Sequence, residues 1–347
     1  MTPPRSGSGY QLAVGCGLAL LSTVATLLFA EGTLRIYWLL RDAREQRALP
    51  AVEQRALVPS SDPALRWEWN PGFRRTDFSV NAFGMADDET SQGKPPGVFR
   101  IAFVGDSITA NFELLPRADI YANQLERRLN ADADRGGRFE ALNFGVNGYG
   151  IRQTAHVLRT RVRRFDPDLV VLQLCLNDPY PSDSAYSREA PVGPSRLWNF
   201  LHRRLAPGRF WAWWYVERTY DPPGLANLRR AMQEVGEEAR RGPPVVAVLF
   251  PYLYAPAYDR WGFGRYHALY REAAREAGLP MLDLYEPFRR AGFVGMWPPT
   301  ADPIHPGREA HALAADALRA HLEALRMLPG RSGAPLAART AAPEDTR

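Results

Sequence analysis

Cysteine is almost absent from this sequence: Cys16 and Cys175 are the only two among 347 residues. One lies in an apolar run and the other in a strand-like run, so both are expected to be unpaired. Two thiols also exclude a disulfide scaffold and a cysteine-built zinc cluster. Lysine is scarcer still. Lys94 stands alone, which leaves 42 of the 43 basic residues (43 − 1) as arginine. Those arginines alternate with glutamates along helical stretches instead of forming one basic block. No nucleic-acid-binding motif accompanies the net charge of +5, so no nucleic-acid partner is expected. The sequence has no internal repeat and only one long apolar run, which excludes a solenoid and a multi-span membrane protein. Hydrophobic residues at 46% and charged residues at 23% exclude a wholly disordered or collagen-like chain.

The single apolar run covers residues 11–30, QLAVGCGLALLSTVATLLFA, without a charge. Twenty such residues span a bilayer core as a helix. Tyr10 marks one edge, and Tyr37 and Trp38 lie beyond the other, as interfacial aromatics do. Glu31 and Arg35 are four apart and can pair on one helix face. Leu28-Phe29-Ala30 is a poor small-x-small cleavage site, and the apolar stretch follows Cys16 where a lipoprotein signal would precede it. Residues 1–40 are therefore expected to form an uncleaved membrane anchor. Arg35, Arg41, Arg44 and Arg47 outnumber Arg5 across the run, and this count by itself puts the main domain in the cytoplasm. Residues 41–97 read as a stalk and lead-in segment, charged and helical over 41–66. The Gly/Ala/Pro-rich stretch 327–347 reads as a disordered tail.

Between these ends, strand and helix patterns alternate. Strands are expected at 99–105, 141–146, 169–176, 245–250 and 281–284. Helices are expected at 118–130, 151–165, 225–240, 266–277 and 307–325. The run Leu169–Leu176 (LVVLQLCL) is apolar throughout, as a strand buried on both faces must be. The alternation predicts a three-layer α/β/α domain over 98–326 around a mostly parallel five-stranded sheet. Residues 179–222 form an insertion containing Trp198, Phe200, Phe210, Trp211, Trp213, Trp214 and Tyr215. These aromatics suit a small packed subdomain, a lid or a surface for stacking on a sugar.

In such a sheet the reactive residues lie beyond the carboxyl ends of the strands. Four motifs fall there. Gly105-Asp106-Ser107-Ile108 follows the first strand and sets Ser107 at a strand-to-helix turn. Gly145-Val146-Asn147-Gly148-Tyr149-Gly150 closes the second strand; its glycines permit tight backbone and an exposed N–H. Asn177-Asp178 closes the third strand, where an asparagine amide can donate into a site. Asp302-Pro303-Ile304-His305-Pro306 precedes the last helix. A serine hydroxyl needs an adjacent base, and His305 suits that task. An acid three residues before it can reach the second ring nitrogen and hold the tautomer.

Together these motifs resemble the SGNH, or GDSL-like, hydrolase family over residues 98–325, and the segment Asp77–Met85 (DFSVNAFGM) is similar to a lead-in of membrane-anchored bacterial members. The third motif departs from the family's G-x-N-D, with Cys175 in place of the glycine. The resemblance implies a catalytic triad of Ser107 (nucleophile), His305 and Asp302. It implies an oxyanion hole built by Ser107, Gly148 and Asn177, with Gly145 a rival for the second of these. It calls for no cofactor and no metal. The activity implied is that of a serine esterase removing or transferring short O-acyl groups, acetyl first, on acylated carbohydrate or cell-envelope polymers. A lipid esterase or lysophospholipase is the alternative of the same class. A catalytically silent binding or assembly protein of envelope polysaccharide biosynthesis is the alternative of another. Envelope substrates imply an extracytoplasmic catalytic domain, against the arginine count.

Overall fold

The structure, a computed structural model, describes residues 8–47, 55–75, 78–110, 115–132, 137–179, 195–205, 216–217, 219–253, 255–293 and 304–330. The chain divides into two compact units, one of residues 1–51 with 186–214 and one of 52–185 with 215–347.

The first unit is built on helix α1, Ser8–Arg47, which holds a stretch Tyr10–Leu40 long and apolar enough to cross a membrane. Thr23, Thr26 and Thr33 each return their hydroxyl proton to the carbonyl four residues back, at 2.8–2.9 Å, so their polarity is satisfied inside the helix. The apolar run ends near residue 30, but the helix continues through Arg47. The insertion contributes helix α5, Arg196–Leu205, which packs on α1. Glu31 of α1 accepts hydrogen bonds from Ser195 Oγ and from the N–H groups of Arg196 and Leu197 at 2.7–2.9 Å. A carboxylate at that end meets otherwise unpaired donors and the positive end of the helix dipole. Phe210, Trp211, Trp213, Trp214 and Tyr215 lie outside the described residues.

The second unit holds five parallel strands in the order β6-β5-β7-β8-β9. Their ranges are β5 Val98–Val104, β6 Arg138–Asn143, β7 Leu169–Cys175, β8 Val245–Phe250 and β9 Met281–Asp283. The expected three-layer architecture is thus present, and the sheet is wholly parallel. Every residue of β7 and β8 is buried. Helices α3 (Tyr121–Asn130) and α10 (Arg308–Ala324) pack against each other, while α6 (Pro222–Arg241) packs on α4 (Ile151–Thr160) and α8 (Gly264–Ala277). Ile101, Phe103, Val171, Val246, Val248 and Phe250 share one core with Leu125, Leu129, Leu318 and Leu322. Alternate residues along the strands meet the helices on that face.

Several elements differ from the sequence expectation. The edge strand β6 lies three residues ahead of the predicted 141–146 at both ends, because an edge strand keeps exposed residues that hide its start. The expected helix 151–165 ends at Thr160 and gives way to a 3-10 turn, Val162–Phe165, and short helices at Ala255–Trp261 and Tyr285–Arg290 were not expected. The expected helical stretch 41–66 is interrupted. Leu57–Pro59 (β1) pairs antiparallel with Trp67–Trp69 (β2), and Arg74–Arg75 (β3) pairs with Phe78–Ser79 (β4). Pro59 and Pro63 cannot sit inside a helix, which favours the hairpin.

Candidate active site

The chain leaves β5 at Val104 and turns through Gly105 and Asp106 into a short helix, α2, Ser107–Ala110. Ile108 N–H donates to Asp106 Oδ1 at 2.8 Å. Asp106 N–H and Thr109 Oγ1 both donate to Gln173 Oε1, each at 3.0 Å. Gln173 stands on the neighbouring strand β7 and is the only polar residue in LVVLQLC. The Ser107 turn is thereby tied across the sheet. Strand β5 lies between β6 and β7, so Ser107 emerges with the Gly148 loop on one side and the Asn177 turn on the other. The chain reverses direction across the sheet here, and such switch points form ligand crevices.

His305 Nε2 lies 2.8 Å from Ser107 Oγ, although 198 residues separate them in sequence. That is hydrogen-bond contact between a hydroxyl and a group able to take its proton. Asp302, expected at the other ring nitrogen, lies outside the described residues, as does the loop containing Gly295–Pro299.

On the β6 side, Asn143 organises the glycine loop. Its amide Nδ2 donates to Thr109 O at 2.8 Å, and its Oδ1 accepts from Gly145 N–H at 2.9 Å. Its own N–H donates to Asp87 Oδ2 at 2.9 Å. The Gly145 N–H is therefore occupied, and a Cβ there would lie 2.5 Å from Ala110 N. Gly145 serves close backbone approach. Gly148 differs: its φ of +78° is in the left-handed region, which favours glycine, and among the described residues its N–H has no backbone partner.

On the β7 side, Asn177 is half-buried in the turn that follows Cys175. Asp178 shapes that turn: its Oδ2 accepts from Cys175 N–H at 2.6 Å, and its own N–H donates to Cys175 O at 3.1 Å. Asn177 Oδ1 is buried and unpaired among the described residues.

Several buried titratable groups accompany the site. Burial raises the Asp106 carboxyl above its ordinary range, opposed by the Ile108 N–H and the His305 charge. Burial, then the Asp106 charge, raises Asp178 well above its own. Two carboxyls in one dry region resist ionising together. Burial also pushes Asp87 up to about 6. His311, on α10, is held down to about 3 by burial and then by the charge of His305. Its Nδ1 accepts from Tyr121 N–H at 3.2 Å, and Tyr121 OH contacts Thr109 Oγ1 at 2.9 Å.

The structure thus brings Ser107 and His305 together and sets Gly148 and Asn177 at flanking strand ends. Among the described residues no three His, Cys, Asp or Glu side chains gather into a metal site. Sequence reasoning missed Gln173 and Asp87 and gave Asn143 no role in the site. A lone polar residue inside a continuous apolar strand was the available signal for Gln173.

A family model described as GDSL-like Lipase/Acylhydrolase matches residues 103–313. A comparison with curated proteins gives no match. Among solved structures the chain is similar to LAE5, an alpha/beta hydrolase from the metagenome of Lake Arreo, Spain, at 21% identity and a TM-score of 0.46, covering 65% of this chain and 96% of that one. It is similar to the acetylxylan esterase Axe2 of Geobacillus stearothermophilus at 18% identity and a TM-score of 0.44, covering 65% and 94%. It is also similar to TesA at 19% identity and a TM-score of 0.44, covering 65% and 99%.

Proposed function

The chain belongs to the GDSL-like lipase/acylhydrolase family and is a serine ester hydrolase; from that premise we propose that it removes or transfers short O-acyl groups, acetyl first, on carbohydrate or cell-envelope polymers. The observation that carries the reading is the 2.8 Å contact of Ser107 Oγ with His305 Nε2.

In the proposed reaction His305 Nε2 takes the hydroxyl proton as Ser107 Oγ bonds to the ester carbonyl carbon. The resulting oxyanion is held by the N–H groups of Ser107 and Gly148 and by the Asn177 amide, an arrangement whose donors gain strength as charge develops. Asp302 orients the imidazolium. The carbon–oxygen bond to the alcohol breaks, and the alkoxide leaves with the proton from His305. Water, deprotonated by His305, then attacks the acyl-serine, and the free acid departs as Ser107 recovers its proton. A sugar hydroxyl in place of water makes the same site a transferase. Helix α1 serves in this reading as a retained membrane anchor, with the catalytic domain on the extracytoplasmic side, where envelope polymers lie.

One feature of the sequence supports a short acyl group: Gly295-Met296-Trp297-Pro298-Pro299 before Asp302 carries two adjacent prolines and no long apolar run from which an acyl tunnel could be built. The test is labelling with a fluorophosphonate probe, then p-nitrophenyl acetate, butyrate and octanoate side by side. Labelling that Ser107→Ala abolishes, with kcat/KM highest on acetate, is the expected result. A folded Ser107→Ala keeping more than about a tenth of the activity removes the nucleophile from its role. A long apolar groove would add about 0.8 kcal/mol per methylene, so a steady climb to octanoate replaces the carbohydrate-ester reading with a lipid-ester one.

A further inference from the structure

Two tryptophans of the lead-in hairpin reach into the glycine loop. Trp67 Nε1 donates to Asn147 O at 2.9 Å, and Trp69 Nε1 donates to Gly145 O at 2.7 Å. The exchange with Trp67 is reciprocal, because Tyr149 OH donates to Trp67 O at 2.6 Å. The Trp67 and Tyr149 rings lie 6.1 Å apart. Gln153 Nε2, one turn into α4, donates to Leu65 O at 2.8 Å, and its Oε1 accepts from Gly150 N–H at 3.1 Å. A segment some 80 residues upstream of the loop thus holds the loop's backbone by its carbonyls.

The two bonds act on different peptide units. Among the described residues no peptide bond is cis, so in each unit the C=O and N–H point in opposite directions. In the Gly145–Val146 unit both ends are used: the carbonyl takes Trp69, and Val146 N–H donates to Gly105 O at 3.2 Å. In the Asn147–Gly148 unit the carbonyl takes Trp67, while the Gly148 N–H at the opposite end has no backbone partner among the described residues. Gly148 has no Cβ and a positive φ, so little in the residue itself fixes the rotation of this unit.

We propose that Trp67 is a positioning residue of the oxyanion hole: its indole N–H grips the Asn147 carbonyl and so aims the Gly148 N–H of the same peptide at the developing oxyanion. This rests on the reading of Gly148 as an oxyanion donor. The grip acts in two ways. It sets the rotation of the peptide before substrate arrives, the preorganisation that makes such donors effective. It also draws electron density towards the carbonyl and strengthens the N–H as a donor. Trp69 performs the structural counterpart, since its peptide is spent on Gly105.

The experiment uses the full chain in detergent and p-nitrophenyl acetate. Trp67→Phe keeps an aromatic ring and removes the donor. The expected result is a kcat about tenfold or more below wild type, since a donor is misaimed and not deleted, with KM within about twofold. A boronic acid that forms a tetrahedral adduct on Ser107 should lose affinity by the same factor as kcat/KM. Trp69→Phe is the control and is expected to lower thermal stability while leaving kcat near wild type. Should Trp67→Phe not fold, benzothienylalanine at position 67 keeps the indole shape without the N–H and carries the same expectation. A kcat near wild type in a folded position-67 variant overturns the proposal while Ser107→Ala, inactive in the same assay, keeps the site reading in place. An equal loss of kcat in Trp69→Phe overturns it too, because general loosening of the loop then explains both. An active Ser107→Ala sinks the site reading, and this inference with it.

Discussion

Asn177 illustrates how one residue at a strand end acquires a chemical task. It follows a strand buried at every position, in a turn that Asp178 closes on Cys175 N–H at 2.6 Å. Its amide oxygen takes no hydrogen bond among the described residues, and the role proposed for it uses the other end of the amide, the Nδ2 donor. Asn177→Ala is expected to lower kcat by roughly 10²–10³, the usual effect of one oxyanion donor, with stability little changed; steady-state kinetics beside a urea titration measures both. A near-normal kcat would leave Asn177 as a turn residue. His311 carries a different residue-scale consequence. Burial lowers it from 6.5 to about 3, so between those values the unfolded chain binds a proton that the folded chain refuses. Stability from this group is therefore full above pH 6.5 and lost as pH falls towards 3, at about 1.4 kcal/mol per pH unit. Asp87, raised to about 6, acts in the opposite sense and persists in any His311 variant. His311→Gln should be less stable than wild type at pH 7, because the Tyr121 N–H loses its aligned acceptor. The deficit should shrink by about 2 kcal/mol at pH 5, the distance from 6.5 multiplied by that slope. Urea unfolding of both proteins at the two pH values decides it, and an unchanged deficit refutes the buried neutral histidine.

At the scale of an element, strand β5 does more than deliver Ser107. Its third residue, Arg100, is fully buried. It donates to Glu140 Oε2 on β6 at 2.6 Å and to the carbonyls of Ser91, Gln92 and Phe165 at 2.7–2.8 Å. One guanidinium thus joins the edge strand, the lead-in segment and the end of the helix before β7. Arg100→Met removes the cation and leaves the Glu140 carboxylate and three carbonyls without that donor. The expected loss is about 3–5 kcal/mol, the cost of leaving one member of a buried ion pair uncompensated. Arg100→Lys should recover only part of it, because an ammonium lacks the planar fork. Chemical denaturation of both variants tests this; equal stability of wild type and Arg100→Met would show that water repairs the site. The hairpin β1–β2 has a comparable place, since Glu68 pairs with Arg161 and Asp62 lies 2.6 Å from His156 Nε2.

At the scale of the molecule, the two units differ in the surface they expose. Helix α1 exposes Leu12, Leu18, Leu20, Leu21, Leu28 and Phe29 along its apolar run, which water does not favour and a bilayer does. The second unit has its own core and its own sheet. A chain starting at Ala51 should therefore be soluble and should hydrolyse p-nitrophenyl acetate with the kcat of the full chain. It keeps the hairpin from Leu57 onward and with it Trp67. The full chain should stay with membranes through a high-salt wash, since salt weakens electrostatic attachment but not a spanning helix. Recovery of the full chain in the salt wash would refute the anchor.

Sequence alone determined the parts of this protein whose physics is local. Runs such as LVVLQLC and VVAVLF are apolar at every position because both faces of a central parallel strand are covered. The helices between them show their spacing because one face of each meets the sheet. Motifs placed at strand ends were legible for the same reason: a parallel sheet sends every carboxyl end to one edge, and Ser107, Gly148 and Asn177 follow three neighbouring strands. Short elements were not legible. Hairpins of two or three residues have too few positions for any periodicity to register. Only the tertiary structure put His305 at 2.8 Å from a serine 198 residues away. It also decided that Asn143 spends the Gly145 N–H, leaving Gly148 as the candidate donor, and that Trp67 reaches the carbonyl behind it. Those contacts join positions far apart in the chain, and no local pattern encodes which carbonyl an indole will find.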